Sequence, residues 1–274
     1  MTIIPDAPYA AVLGSPISHS LSPVLHRAAY EVLGIDWSYE KFEVEEPELT
    51  AFLSEVGPNC RGLSLTMPLK FAAFDVAQVR DSAAASTHVC NTLIRRDNQW
   101  HGFNTDVPGF VTSLTRAGVE AVDSATILGA GATACSAVAA LVQLGAQSLD
   151  VVARRIDQVS ALESLFPQVN FRAHSFSGGV TPNQILISTL PAGAADELEV
   201  PPNVDVLFDV IYAPWPTRIV ERAQGRVILG GLDLLVCQAI EQVFLMTGAA
   251  AEMRPTVLEA MYAAGLAEQG RRNT

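Results

Sequence analysis

An α/β fold, with a largely parallel sheet covered by helices and a second strand-helix-strand unit after it, is what the sequence predicts. Three observations carry that reading. Strand-like and helix-like hydrophobic patterns alternate along most of the chain. A glycine-rich turn joins an apolar strand to an alanine-rich helix near the middle. The 274 residues are 49% apolar and 17% charged, which fills one large core or two of ordinary size and excludes disorder as the main state.

Taken in order, Tyr9 to Leu13 is a short apolar run and Gly14 to Ser22 a loop. Ser22-Pro23 is a cap and first-turn pair for a helix reaching Leu33, with Gly34 beyond it. Trp37 to Val44 alternates like a half-buried strand, Pro47 to Val56 is helical with Gly57 as its stop, and Leu63 to Thr66 is a short strand before Pro68. Cys90 to Arg96 and Gln99 to Phe103 flank Asp97-Asn98, the signature of a tight hairpin.

A second unit begins after a helix from Val107 to Ala117, which Gly118 closes. Strand Ala125 to Leu128, the glycine-rich turn, helix Ala132 to Leu144 and strand Leu149 to Val152 make one strand-helix-strand unit. Further strands are expected at Gln184 to Ser188, Val206 to Asp209 and Arg226 to Leu229, and two helices, about Asp233 to Met246 and Pro255 to Glu268, finish the chain.

Charge and cysteine usage bound the partners. Lys plus Arg number 17 against 29 acidic residues, a formal charge of −12, so nucleic acid and anionic membrane surfaces are repelled on average. Cys60, Cys90, Cys135 and Cys237 lie far apart with no CxxC pair, and the isolated His19, His26, His88, His101 and His174 have no ligand spacing; neither a disulfide scaffold nor a metal site is expected. The opening MTIIPDAPYA lacks the basic and apolar runs of a secretory signal, so the cytoplasm is the expected location. Ser124 to Leu149 carries no charge, but its glycines and glutamines interrupt it short of the ~20 apolar residues a membrane span needs.

Gly129-Ala130-Gly131-Ala132-Thr133-Ala134 fits G-x-G-x-x-G/A with the correct strand before it and helix after it. Glycine permits the tight turn and lets backbone approach a pyrophosphate, which meets the free N–H groups of the helix start. The competing reading is an ordinary strand-to-helix turn. In Leu149-Asp150-Val151-Val152-Ala153-Arg154-Arg155, the acidic residue stands about 20 residues from the glycines but is followed by two apolar residues, at the strand's start. Arg154 and Arg155 occupy the carboxyl edge, which favours NADP over NAD, because arginine pairs with a phosphate where an acid would bind a free ribose hydroxyl. A solvated pair of loop arginines is the alternative.

Lys41 and Lys70 are the chain's two lysines. Lys70 lies among apolar neighbours in Thr66-Met67-Pro68-Leu69-Lys70-Phe71, where a residue whose protonation burial can shift suits proton transfer; a surface lysine in a helix's first turn is the plainer reading. Further polar clusters follow apolar strands: His19 to Pro23, Asn91-Thr92, Asn104-Thr105-Asp106, Asp209 to Tyr212, and Gln238 within an apolar helix. Each one alone is explained as a cap or turn.

Together, GSPISHSLSP, SLTMPLK, NTL, GFNTDVPGF, GAGATA, DVIYAPWPT and GLDLLVCQ resemble, in order and spacing, the successive blocks of the shikimate dehydrogenases. The resemblance implies two α/β domains with a cleft between them: a substrate domain over 1–106 completed by returning helices in 233–274, and a Rossmann domain over 107–232. It implies that Ser20, Ser22, Ser64, Thr66, Asn91, Tyr212 and Gln238 bind the substrate and that Lys70 and Asp106 form the catalytic pair. Gly129, Ala130, Gly131, Ala132, Thr133, Arg154 and Arg155 would hold NADP. His19 is read as structural.

The chain departs from the family at Ser64, where Asn is usual, and at Ala132, where a third glycine is usual. It also departs at Ala153 and Arg155 in the usual Asn-Arg-Thr, at Leu234 for a Met, and at Met246 for a Trp. The expected activity is reversible NADP-dependent reduction of 3-dehydroshikimate to shikimate, by a monomer or homodimer. The alternatives are an NAD-dependent quinate/shikimate dehydrogenase, and a ligand-sensing relative without turnover, against which the presence of both Lys70 and Asp106 argues.

Overall fold

The computed structural model describes residues 5–181, 183–223 and 225–272. They fall into two compact units, one of residues up to Thr105 together with Val236–Arg271, the other within Asp106–Leu235.

The first unit is built from β1 (Tyr9–Gly14), α1 (Ser22–Leu33), β2 (Ser38–Glu43), α2 (Leu49–Glu55), β3 (Cys60–Leu65), α3 (Lys70–Val76), β4 (Val79–Arg80), α4 (Ser82–Thr87), β5 (Thr92–Arg96) and β6 (Gln99–Phe103). Its sheet runs β2-β1-β3-β5-β6-β4. The strands β1, β2 and β3 are parallel, but β5 is antiparallel to β3 and to β6, so this sheet is mixed rather than largely parallel. The reason is the hairpin: Asp97 and Asn98 adopt φ of 49° and 64°, the left-handed pair that a two-residue connection demands. Central β1 is buried along its whole length, and Tyr9, Leu13, Leu63 and Leu93 from the sheet meet Leu49 and Leu53 of α2, Leu69 at the cap of α3 and Ala73 within it in one core. The start of α1 differs from expectation. Leu21 is the cap and Ser22 the first helical residue, while the Ser20 hydroxyl accepts the Ser22 N–H at 3.3 Å.

The second unit contains α5 (Asp106–Arg116), β7 (Ser124–Leu128), α6 (Ala132–Gln143), β8 (Ser148–Val152), α7 (Val159–Leu165), β9 (Asn170–His174), β10 (Ile185–Ser188), β11 (Val206–Asp209), α8 (Arg218–Arg222) and β12 (Val227–Leu229). All neighbours in its sheet, ordered β12-β11-β10-β7-β8-β9, are parallel. The chain runs outward from β7 through β8 and β9, then returns to the other side through β10. The strand order therefore reverses at β7, and the carboxyl ends of β7 and β10 flank the crevice where ligands bind in such sheets.

Two helices, α9 (Gly231–Thr247) and α10 (Arg254–Arg272), end the described chain, and the division between units falls inside α9. The uncharged stretch is β7, α6 and the start of β8, and among the described residues no helix is long and apolar enough to cross a membrane. Asp150 needs correcting. It is the third of five residues in β8, wholly buried, and in register with Thr126 and Arg172, because β8 starts at Ser148 rather than later.

Candidate functional site

In the first unit, Thr66, Lys70 and Asn91 lie at or next to the ends of β3, α3 and β5. The absence of a side chain at Gly14 lets β1 run close to the loop after β3: a Cβ there would lie 2.4 Å from the Thr66 methyl and 2.8 Å from the Met67 carbonyl. Two main-chain bonds close that approach, Thr66 N–H to Leu13 O at 2.9 Å and Ser15 N–H to Met67 O at 3.0 Å. Thr66 is thereby placed just before Lys70, the half-buried first residue of α3, whose carbonyl accepts the Cys90 N–H at 3.0 Å. The next residue after Cys90 is Asn91.

Asn91 is 2% exposed and anchors a buried hydrogen-bonded cluster. Its Oδ1 accepts the Thr105 N–H and the Thr92 hydroxyl, both at 2.9 Å. Its Nδ2 donates to Thr105 Oγ1 at 2.9 Å and to Gln238 Oε1 at 3.3 Å, and Thr105 Oγ1 and Gln238 Oε1 lie 3.2 Å apart. Asn91 thus ties the residue before Asp106, which is itself 4% exposed at the start of α5, to a glutamine 147 positions away. Ser20 and Ser22 are buried at the head of α1.

Ser64 is 3% exposed and holds both kinds of bond within the fold: it accepts the Tyr39 hydroxyl and donates to Gln242 Oε1, each at 2.7 Å. Tyr39, His26 and Gln242 were not singled out by sequence. A lone histidine and a tyrosine in an alternating strand read as core, and Gln242 carried one signal, its place four residues after Gln238 on the same face of α9. Burial drives the His26 pKa down to about 3, so its ring is neutral near pH 7.

In the second unit the glycine-rich turn lies between β7 and α6, as predicted. Gly129 has φ +105°, and a Cβ on it would sit 2.5 Å from Thr189 Oγ1, which itself donates to the Leu128 carbonyl at 2.8 Å. Gly131 caps α6 with no atom within 4 Å of a built Cβ, so the backbone there is open, with Ala130, Ala132 and Thr133 partly exposed beside it. The Arg154 and Arg155 side chains are exposed after β8 and bond to no described residue. Asp150 is spoken for: Arg172 Nε and Nη2 (2.9 and 2.6 Å), His174 Nε2 (2.7 Å) and Asn183 Nδ2 (2.9 Å) occupy its two oxygens. The carboxyl end of β8 therefore offers arginines, and the strand's one acid is occupied within the sheet.

Tyr212 stands in the loop after β11. That loop is braced by Asp209, whose Oδ2 accepts the Thr217 hydroxyl at 2.6 Å; burial pushes the Asp209 carboxyl above the usual range and its hydrogen bonds oppose this only in part.

The family described as shikimate dehydrogenase substrate binding domain matches residues 12–93. The shikimate dehydrogenase (NADP(+)) of Nostoc sp. strain PCC 7120 is 32% identical over 251 residues, covering 84% of this chain and 87% of that protein. Among solved structures, Mycobacterium tuberculosis shikimate dehydrogenase is 38% identical with a TM-score of 0.84, covering 95% of this chain and 99% of that one. The shikimate 5-dehydrogenase of Thermus thermophilus, solved in complex with NADP(H) and shikimate, is 30% identical with a TM-score of 0.80, covering 94% of this chain and 99% of that one.

Proposed function

The chain belongs to the shikimate dehydrogenase family, and from that premise we propose that it reduces 3-dehydroshikimate to shikimate, reversibly, with NADPH. The observation that carries the reading is the buried cluster of neutral hydroxyl and carboxamide groups, Thr92, Asn91, Thr105 and Gln238, in the unit whose residues 12–93 match the family's substrate binding domain. A site built from such groups suits a polyol, because an analogue lacking a hydroxyl leaves a buried donor or acceptor unpaired. Ser20, Ser22, Thr66 and Tyr212 complete the substrate set, and the first unit is the substrate domain; Ser64, expected to bind substrate, instead spends its buried hydroxyl on Tyr39 and Gln242.

The second unit fits a dinucleotide. Its turn at Gly129 leaves no room for a side chain, its backbone at Gly131 is open, and two exposed arginines follow β8. Gly129, Ala130, Gly131, Ala132 and Thr133 would hold the pyrophosphate, and Arg154 with Arg155 the adenosine phosphate. When bound, NADPH supplies hydride to the keto carbon. Lys70 Nζ gives a proton to the carbonyl oxygen as it becomes an alkoxide, and takes the hydroxyl proton in the reverse direction. Asp106 is the second residue of the proposed catalytic pair. The four free cysteines suit work in the reducing cytoplasm.

The test is the initial rate of nicotinamide reduction with shikimate and with quinate, each with NADP⁺ and NAD⁺. Turnover of shikimate with NADP⁺ well above the other three pairs is expected. Preference for quinate with NAD⁺ would replace this reading, and no turnover in any pair would leave a binding protein.

A further inference from the structure

We infer that Gln242 is a positioning residue for substrate binding, acting through Asn91, and that Ser64 and Tyr39 work with it as one unit; the inference rests on Asn91 being a substrate contact. Gln242 is 2% exposed and spends its whole carboxamide inside the fold. Its Nε2 donates to the Thr92 hydroxyl at 2.9 Å and to the Asn91 carbonyl at 3.2 Å. Its Oε1 accepts the Ser64 hydroxyl at 2.7 Å and faces His26 Nε2 at 3.4 Å. The carbonyl of Asn91 can only accept, so it fixes which end of Gln242 is the amide nitrogen, and the proton between the ring and Gln242 then belongs to His26 Nε2.

The bonds form a directed chain. The Tyr39 hydroxyl donates to Ser64, Ser64 to Gln242, Gln242 to Thr92, and Thr92 to Asn91 Oδ1. Tyr39 heads the chain as donor, and the Ser64 and Thr92 hydroxyls each accept one bond and donate the next, so every proton points the same way and the bonds polarise one another. Asn91 receives the result. With Oδ1 committed to Thr92 and to the Thr105 N–H, its amide nitrogen is turned toward Thr105 Oγ1 and Gln238 Oε1. A flip of Asn91 would set its NH₂ against two donors. The far end is held too, because the Tyr39 ring stacks on neutral His26 with centroids 4.0 Å apart.

The space is as restrictive as the bonding. Ser64 Oγ sits 2.7 Å from both Tyr39 Oη and Gln242 Oε1, so a longer side chain at 64 displaces one of them. Residues 64 and 242 are therefore coupled, and a substitution at one is felt at Asn91 through the other.

The experiment compares wild type, Tyr39→Phe, Ser64→Ala, Gln242→Leu and the double variant Ser64→Ala/Gln242→Leu. Measured are the KM for shikimate and for NADP⁺, kcat, the thermal midpoint, and the side-chain NH₂ resonances of ¹⁵N-labelled protein, with Asn91 assigned by its own substitution. Gln242→Leu should raise the KM for shikimate about tenfold, the equivalent of one buried hydrogen bond. The KM for NADP⁺ should stay within twofold, and the Asn91 NH₂ signal should shift. The double variant should be no worse than Gln242→Leu alone. Should Gln242→Leu fail to fold, Tyr39→Phe, which deletes one oxygen at the chain's end, carries the test: a severalfold rise in the shikimate KM and a shifted Asn91 signal support the inference. Unchanged shikimate KM in the folded variants, equal losses for shikimate and NADP⁺, or additive effects in the double variant would overturn it. Failure of wild type to turn over shikimate would strike the functional reading instead, and the Asn91 NH₂ signal would still decide whether the chain orients that residue.

Discussion

Replacing Asp150 by Asn should remove a pH-dependent share of the stability worth about 2 kcal/mol. The magnitude follows from the carboxylate's surroundings. Burial alone would raise its pKa, but Arg172, Asn183 and His174 donate to it together and hold it at about 2, against 3.8 when free. At 1.36 kcal/mol per unit that depression is roughly 2.4 kcal/mol, discounted to about 2 because the Arg172 side chain is 52% exposed. The sign follows from the direction. A carboxyl depressed in the folded state contributes in full above its unfolded pKa and loses that contribution as pH falls from about 4 toward 2. Urea unfolding of wild type and Asp150→Asn at pH 5, 4, 3 and 2.5 measures it. The gap between the two proteins should narrow by about 1.5 kcal/mol across the series, the rest of the contribution being lost only below pH 2.5. A gap that stays level within about 0.5 kcal/mol, or widens toward acid, would show that the four donors do not set the carboxylate's ionisation.

Three further outcomes are expected. Lys70→Arg and Lys70→Ala should each lower kcat by roughly 10²- to 10⁴-fold with little change in the KM for NADPH, since arginine keeps the charge and releases no proton near neutrality; an active Arg variant in a steady-state assay would move the proton to another group. Arg154→Ala should raise the KM for NADPH by about 1.5 to 3 kcal/mol in binding and leave that for NADH nearly unchanged; equal losses in a two-cofactor comparison would remove Arg154 as the discriminator. Gly129→Ala combines a φ of +105° with a contact of 2.5 Å to Thr189 Oγ1 and should weaken NADPH binding in fluorescence titration. Adding Thr189→Ala, which deletes the crowded oxygen, should recover part of that loss, and no recovery would place the whole cost in the backbone.

Local patterns foretold the elements whose signals are local. The 22–33 and 132–143 helices, the Asp97-Asn98 hairpin and the glycine-rich turn lie within a residue or two of expectation, because caps, glycines and apolar spacing act over a few positions. β9 was not foreseen. As an edge strand it alternates Asn170, Arg172 and His174 with Phe171 and Ala173, and its polar residues read as loop until the register sets Arg172 beside Asp150. β4, α4, α7 and α8 were missed for a related reason, being seven residues or fewer, too short for periodicity to register. At the site, residue types were legible as clusters, but the bonds joining Asn91 to Gln238 and Ser64 to Gln242 span 147 and 178 positions, and no spacing rule reaches that far.

Asp150 shows how one strand divides two tasks. An acid about 20 residues after the glycines is where a ribose-binding group is sought in this kind of unit, and distance along the chain alone would nominate it. Height along the strand decides otherwise. Asp150 lies mid-strand in register with Arg172, where four protein donors consume its oxygens, while the positions beyond Val152 carry Arg154 and Arg155 into solvent. The negative charge of β8 is thus neutralised inside the sheet, and the positive charge after it is left for a ligand. A substitution at 150 should therefore be read in unfolding curves and one at 154 in cofactor selectivity, and an Asp150→Asn protein that kept its stability but changed its NADPH to NADH ratio would reverse that division.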